Sequence, residues 1–324
     1  MAASYDAPAV ATAQPRLRRP PGLGFDRAFR LAAFGSAMLV LFVLLGIIGS
    51  MIYGGVPAFR TFGFGFLSDT RWDTMGDQYG AWVAIYGTLV TAFIALLIGV
   101  PLSLGIAVYL TQLAPAWLKR PVATAIELLA AVPSIIYGIW GLFVFAPLFA
   151  SFVQVPLNDL VAGMPLIGWM LKSSVPSGVG IMSAGIILAF MIIPFIASIT
   201  RDILEQIPTV LRESAYGIGS TTWEVVRHVL FPQAGVSIIG AIMLGLGRAL
   251  GETMAVTFVI GNSNRIASSI MDPGSTIASR VANEFNEALG MQASALLALG
   301  CILFLVTFTV LVIARILISR VKTY

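Results

Sequence analysis

Gly245-Leu246-Gly247-Arg248-Ala249-Leu250-Gly251-Glu252-Thr253 puts an arginine and a glutamate in the middle of an apolar run from about Val236 to Ile260. Each end of that run lies roughly 18 Å away along a helix, beyond the reach of either side chain to water. A charge in mid-bilayer costs about 2.5–3.5 kcal/mol on insertion scales, so two of them require a reason. At a spacing of i,i+4 on one continuous helix they share a face and can neutralise each other. Two readings follow. One is a structural ion pair that fixes helix packing. The other is a substrate pathway, in which Arg248 binds an anion and Glu252 is its counter-charge when the path is empty.

The rest of the chain agrees with a membrane setting. Of its 324 residues 58% are hydrophobic and 10% charged, with a mean hydropathy of +0.93. Soluble domains average about 25% charged residues, so lipid is the solvent here. The net charge of +4 does not indicate nucleic acid, because the bases lie beside apolar runs and form no aromatic-interleaved patch. The single cysteine, Cys301, lies in an apolar run, which excludes an internal disulfide framework. The first apolar run is longer than the core of a cleavable signal and lacks a small-residue cleavage site after it.

Residues 1–30 are Ala/Pro-rich and carry Arg16, Arg18, Arg19, Arg27 and Arg30, the composition of a disordered basic tail. Residues 31–320 form the transmembrane domain, with a core at 83–316. Six apolar segments, about 31–53, 83–110, 122–149, 179–200, 236–260 and 293–316, are each long enough to span a ~30 Å hydrocarbon core as a helix. The expected fold is an all-α bundle of six transmembrane helices. Pro101, Pro133 and Pro194 are expected to kink or unwind theirs. Thirteen Lys and Arg fall in the tail, the 111–121 and 201–235 loops and the C-terminus, against five in the alternate loops. That asymmetry predicts both termini in the cytoplasm. The outward loops carry Asp69, Asp73, Asp77, Asp159, Asp272, Glu284 and Glu287. An acidic outer face is a poor surface for capturing an anion from solution and points to delivery by another protein.

The 201–235 loop holds the second strong signal. Pro208 and Thr209 start a helix with Glu213 in its first turns, and Gly217 and Gly219 break it. Thr221-Thr222-Trp223-Glu224 reads as a capping box for a second short helix that stops before Pro232. Trp223, Val226 and Leu230 give that helix an apolar stripe which membrane burial does not require. The pair therefore reads as a partner-docking element; the competing reading is a helix lying on the bilayer.

Glu213-Ser214-Ala215, Gly219 and Val229-Leu230-Phe231-Pro232 resemble, in identity and spacing, the EAA loop of bacterial ABC importer permeases. Ser214, Val229 and Phe231 are mild departures from the consensus. Three further stretches resemble PstC-type permeases of phosphate-specific ABC importers: Ala84 to Leu89, Glu127 to Gly138, and Gly245 to Val256. The resemblance covers about residues 30–318. It implies a type I ABC importer permease fold in the bacterial plasma (inner) membrane. It also implies a PstA-type second permease, a dimer of PstB-type ATP-binding subunits and a PstS-type phosphate-binding protein. Glu213, Ala215, Gly219, Trp223, Glu224 and Pro232 would then couple to the ATPase. Arg248, Glu252 and Thr253 would line the phosphate path.

The chemistry of the residues is compatible with this. Arginine offers a planar fork that binds oxyanions bidentately without losing its proton. Gly247 and Gly251 form a small-xxx-small pair that permits close approach of a facing helix. Thr253 and Thr257 offer hydroxyls, unless these bond their own backbone. Glu127 is expected to pair with Lys119 or Arg120 at the membrane edge. His228, the only histidine, is expected at the surface, and no metal site can be built around it. None of Lys119, Lys172 and Lys322 follows a glycine, so there is no P-loop. The chain is expected to be no enzyme and to hold no cofactor, ATP and Mg being bound by the partner ATPase. The alternatives are a permease for sulfate, molybdate or phosphonate, an ATP-independent secondary anion transporter, and a membrane scaffold.

Overall fold

The computed structural model describes residues 23–161, 163 and 170–320. Most of the basic tail predicted at residues 1–30 lies outside the described residues. Leu23–Arg30 instead already belongs to the first helix, α1 (Leu23–Phe62), whose first turn carries Asp26, the charge that suits a helix start. The chain divides into two units at Ser50–Met51. The first is described only by the helical residues up to Ser50.

In the second unit, α2 (Trp82–Val108), α3 (Ala116–Ala130), α4 (Ser134–Val161) and α5 (Ile181–Glu205) are followed by α6 (Thr209–Gly217) and α7 (Thr222–Leu250). Then come α8 (Met254–Ile260), α9 (Ile277–Glu284) and α10 (Gly290–Arg320). A two-residue β-hairpin, β1 (Trp72–Asp73) with β2 (Gln78–Tyr79), pairs Trp72 with Tyr79. Six helices, α1, α2, α4, α5, α7 and α10, are long and apolar enough to cross a membrane. The predicted all-α, six-span architecture is therefore observed.

α5 is the axis of the bundle, with Ile187, Leu188, Ile192 and Ile196 fully buried. Small residues bring its neighbours close. A Cβ on Gly185 would meet Ile94 at 2.7 Å, one on Gly99 would meet Ile192 at 3.0 Å, and one on Gly245 would meet Ile196 at 2.6 Å. Without a hydrophobic drive between helices in lipid, such close van der Waals packing is what holds spans together. At α10, Ser294 donates to the Gly54 carbonyl and Gly55 lies against Ala298, seating the end of α1 from Met51 onward.

Two predicted spans are corrected. The third is not 122–149: α3 ends at Ala130, and the spanning helix restarts at Ser134 beyond Pro133. Proline removes a donor and pushes the preceding residue out of the helical region, so an amphipathic helix and a membrane span meet there. The fifth is not one helix over 236–260 but α7 and α8 with a break between them. Pro101 and Pro194, by contrast, sit inside uninterrupted helices.

Prolines also explain the π turns. Each of the four among the described residues, Tyr109–Leu113, Gly141–Phe145, Ala150–Gln154 and Val226–Leu230, is followed after one residue by a proline: Pro115, Pro147, Pro156 or Pro232. Where the helix runs on, at Pro147, Pro156 and Pro232, a turn widened by one residue removes the carbonyl that the proline ring would strike and leaves no partner waiting for its missing N–H; before Pro115 the helix ends instead, with Ala114 extended at ψ 137°. Hence the second loop helix does not stop before Pro232 as expected. It runs through the π turn straight into the fifth span as α7.

Candidate functional site: a broken helix inside the bundle

The break between α7 and α8 separates the two buried charges. Arg248 lies in the last turn of α7, and Gly251 closes that helix by donating to the Gly247 carbonyl at 3.2 Å. Glu252 follows, and its Oε1 accepts from the Ala255 N–H at 3.2 Å, in the first turn of α8. Of the two readings, the Arg248–Glu252 pair on a shared face is not formed within the chain: the ion pairs among the described residues both involve Arg201. Each charge meets a helix end of opposite sign, the cation at a C-terminus and the carboxylate at an N-terminus. The guanidinium also lies 5.6 Å from the centre of the Phe195 ring on α5, within cation–π range.

Both charged residues remain half-buried. Thr253 donates to the Gly251 carbonyl at 3.3 Å, and Thr257 back-bonds to the Thr253 carbonyl at 2.7 Å. Gly247 has open space where a Cβ would stand, and Gly251 meets only its own helix. The glycine that packs within the chain is Gly245, whereas a Cβ on Gly247 or Gly251 would meet no other helix within 4 Å among the described residues.

Sequence reasoning missed what holds the break open. α4 packs on α8 through two glycines. A Cβ on Gly138 would meet Phe258 at 2.9 Å and the Ala255 Cα at 3.0 Å, and one on Gly141 would meet Val259 at 2.8 Å. Tyr137, next to the first of these, donates to the Leu129 carbonyl at 2.9 Å across the Ala131–Pro133 break. Two interrupted helices therefore abut. The signal was present in the Tyr137-Gly138 dipeptide, but nothing local says what a glycine will touch.

The loop end is built as expected at its cap and otherwise differently. Thr221 N–H donates to Glu224 Oε2 at 2.7 Å, and Glu224 N–H donates to Thr221 Oγ1 at 3.4 Å, completing the capping box. Gly219 takes φ +90°, a conformation that suits glycine in the turn between α6 and α7. Arg212 anchors α6 by donating to the Leu204 and Ile207 carbonyls at the end of α5. Ala215 is buried, while Glu213, Glu224 and Pro232 are exposed. The predicted stripe is corrected: Val226 and Leu230 are buried against Leu204 and Val225, and Trp223 alone of the three is exposed. The exposed large apolar side chains of α6, the turn and the start of α7 are Val210, Leu211, Tyr216, Ile218 and Trp223. Glu127 pairs with Arg201 at 2.8 Å instead of Lys119 or Arg120; the Lys119 ammonium donates to the Thr111 carbonyl. His228 is exposed, as expected.

At the opposite end lies Arg280, unremarked in the sequence. It is 3% exposed, donates to Ser275 Oγ at 3.2 Å and stacks 4.5 Å from the Trp72 ring centre. Burial pulls its pKa down to about 10, so it is still a cation at neutral pH. It ties α9 to the β-hairpin. There Tyr79 is pushed up to about 12 by burial and by its bond to Asp77.

A six-span bundle with interrupted interior helices and a glycine-hinged helix pair at one end defines the membrane subunit of an ABC importer. Residues 99–323 match the family described as binding-protein-dependent transport system inner membrane component. The phosphate transport system permease protein PstC of Pasteurella multocida is 52% identical over 294 residues, 91% of this chain and 92% of that protein. PstC of Haemophilus influenzae is 53% identical over 286 residues, 88% and 90% of the two chains. PstC 2 of Mycobacterium tuberculosis is 37% identical over 309 residues, 92% of each. A chain from the crystal structure of a bacterial alginate ABC transporter with its pentasaccharide-bound periplasmic protein superposes with a TM-score of 0.59 at 16% identity, over 93% of this chain and 98% of that one. The inward-facing MetNI methionine ABC transporter gives 0.51 at 19%, over 75% and 95%. The chain belongs to the binding-protein-dependent inner membrane component family, in its PstC group, and is a multi-pass inner-membrane protein.

Proposed function

We propose that this chain is one of two permease subunits of an ATP-driven importer that moves inorganic phosphate inward by alternating access. The observation that carries the reading is Arg248, a permanent cation at an interior helix break with no ion-pair partner among the described residues. An anion passing the break meets a planar fork of donors, while Glu252, the only nearby carboxylate on this stretch, is committed to the start of α8. A single arginine makes a weak site, as transit demands. The name shared by the relatives supports phosphate over sulfate, molybdate or phosphonate.

The basic loop asymmetry supports cytoplasmic termini, which puts α6 and the start of α7 on the cytoplasmic side. Glu213, Gly219, Trp223, Glu224 and Pro232 then face a PstB-type ATPase dimer, which binds ATP and Mg, with Ala215 packed beneath. A PstA-type permease covers the Gly247–Gly251 face, and a PstS-type binding protein delivers phosphate outside. Closure of the ATPases moves the α6–α7 hinge, and the spans rock about α5.

The test is labelled-phosphate uptake at limiting phosphate in cells lacking this chain, complemented with wild type or Arg248→Gln, with sulfate as competitor. Rescue by wild type that sulfate does not inhibit, lost in a normally expressed Arg248→Gln, is the expected result. Full rescue by the variant makes Arg248 a packing residue, and failure of wild type to restore uptake overturns the phosphate reading.

A further inference from the structure

Of the acids on the outer loops, Asp69, Asp73 and Asp77 stay exposed but bond their own neighbours, and Glu284 is half-buried. Asp69 accepts from the Arg71 N–H at 2.9 Å, Asp73 from the Met75 N–H at 3.0 Å and Asp77 from the Tyr79 hydroxyl at 3.2 Å. Glu284 takes Trp72 Nε1 at 2.8 Å and Gln292 at 3.0 Å. A cavity of about 790 Å³ has Lys172, Ser173, Ser263, Arg265, Ser268 and Asp272 in its wall. Arg265 also lines an adjoining cavity of about 600 Å³ together with Arg71 and Asp73.

We propose that the Lys172–Arg265 cavity is an oxyanion intake site that takes inorganic phosphate before it reaches Arg248. The inference rests on the transport reading above. Neither Lys172 nor Arg265 forms an ion pair among the described residues. Ser173 is 3% exposed, yet its hydroxyl has no hydrogen-bond partner. That hydroxyl is sealed from solvent, so it belongs to the packed wall, and the contacts open to an anion are the exposed Lys172 and Arg265. The wall is rigid. Asn158 grips Ser173 through both backbone groups, at 2.8 and 3.1 Å, and Asp272 Oδ1 takes both the N–H and the hydroxyl of Ser174 at 2.7 Å. The aspartate therefore spends one oxygen on the loop that presents the lysine.

The cavity is joined to the helix break by α8, which rises only ~10 Å at 1.5 Å per residue. Gly261, at φ +89°, ends α8, and Ser263 N–H then donates to the Gly274 carbonyl at 2.9 Å. Gly274 N–H in turn donates to the Ile260 carbonyl at 2.9 Å, so the wall and α8 are one piece. The volume exceeds a phosphate ion, which makes the site wet and weak, suited to handing its anion on.

The complete importer in nanodiscs, without its binding protein, is treated with phenylglyoxal, and modification of Arg265 is read by peptide mass spectrometry. Millimolar inorganic phosphate is expected to slow that modification severalfold, chloride of equal ionic strength not to, and Lys172→Gln to abolish the protection. Equal protection by chloride, or none by phosphate, overturns the site. In a second arm, the double variant Lys172→Gln/Arg265→Gln is expected to lower uptake at limiting phosphate about tenfold, the loss of one or two charge-assisted contacts. The binding-protein concentration that half-maximally stimulates ATPase activity should not change. A rise in that concentration would make the cavity a protein-docking surface instead. Protection of Arg265 needs no transport, so it stands or falls independently of the Arg248→Gln uptake result.

Discussion

The turn at Ile218–Thr221 and the break at Gly251–Thr253 both precede a helix whose first turn is bonded to a glutamate, yet they arise from different forces. At the first, Thr221 and Glu224 satisfy each other's backbone, and the glycine needs only its own left-handed conformation. Everything required is within four residues. At the second, Glu252 bonds the Ala255 N–H, and the flanks, with Gly245, Gly247 and Gly251 before the break and mostly β-branched residues after it, weaken a continuous helix without cutting it by themselves. The interruption there is paired with the packing of α8 on Gly138 and Gly141 of another span. One break is local chemistry alone, and the other joins local chemistry to tertiary packing. The first sits at the exposed hinge and the second at the buried charge.

The largest effect should come from filling the tertiary contact. Gly138→Leu drives a side chain into Ala255 and Phe258, and overpacking of that kind costs about 1–3 kcal/mol or more. Most of the assembled complex should be lost on thermal challenge in detergent, as measured by size-exclusion chromatography. A fully stable Gly138→Leu would mean that α8 is held by something other than α4.

Next is the buried cap. Glu252→Ala removes a charged acceptor from the Ala255 N–H and should cost about 1–2 kcal/mol, whereas Glu252→Gln keeps an oxygen there and should cost less. Thermal unfolding of the purified complex compares the two. Equal losses would show that the charge, and not the hydrogen bond, is what matters at the break.

The exposed cap comes third. Thr221→Ala should destabilise the start of α7 by about 1 kcal/mol, a usual value for a lost N-cap. It should lower the ATPase stimulation produced by the loaded binding protein while leaving the midpoint of global unfolding nearly unchanged. If unfolding shifts as much as for Glu252→Ala, the contrast between local and tertiary breaks fails.

The smallest effect is expected from Glu127→Gln. It breaks an ion pair whose carboxylate is exposed and whose Arg201, 13% exposed, still has Asp202 as a partner, so the loss should be at most about 1 kcal/mol. The same unfolding assay should find it within error of wild type.

Hydropathy alone set the class of fold and the count of spans, because lipid demands long runs of apolar residues whatever they pack against. The capping box at Thr221–Glu224 and the left-handed turn at Gly219 were equally legible, since caps and turns are satisfied by neighbours in sequence. Two local ion pairings, the Arg248–Glu252 pair that spacing allowed and the pairing of Glu127 with Lys119 or Arg120 expected from proximity, were not formed. Sequence spacing assumes an unbroken helix and ignores elements arriving from afar, and here a break intervened in one case and Arg201 in the other. The stripe through Val226 and Leu230 was real but faced the chain's own core. Which acids are consumed as turn acceptors, which bases line a cavity and where a span is cut depend on contacts among residues tens to hundreds of positions apart. Only the tertiary structure contains those contacts.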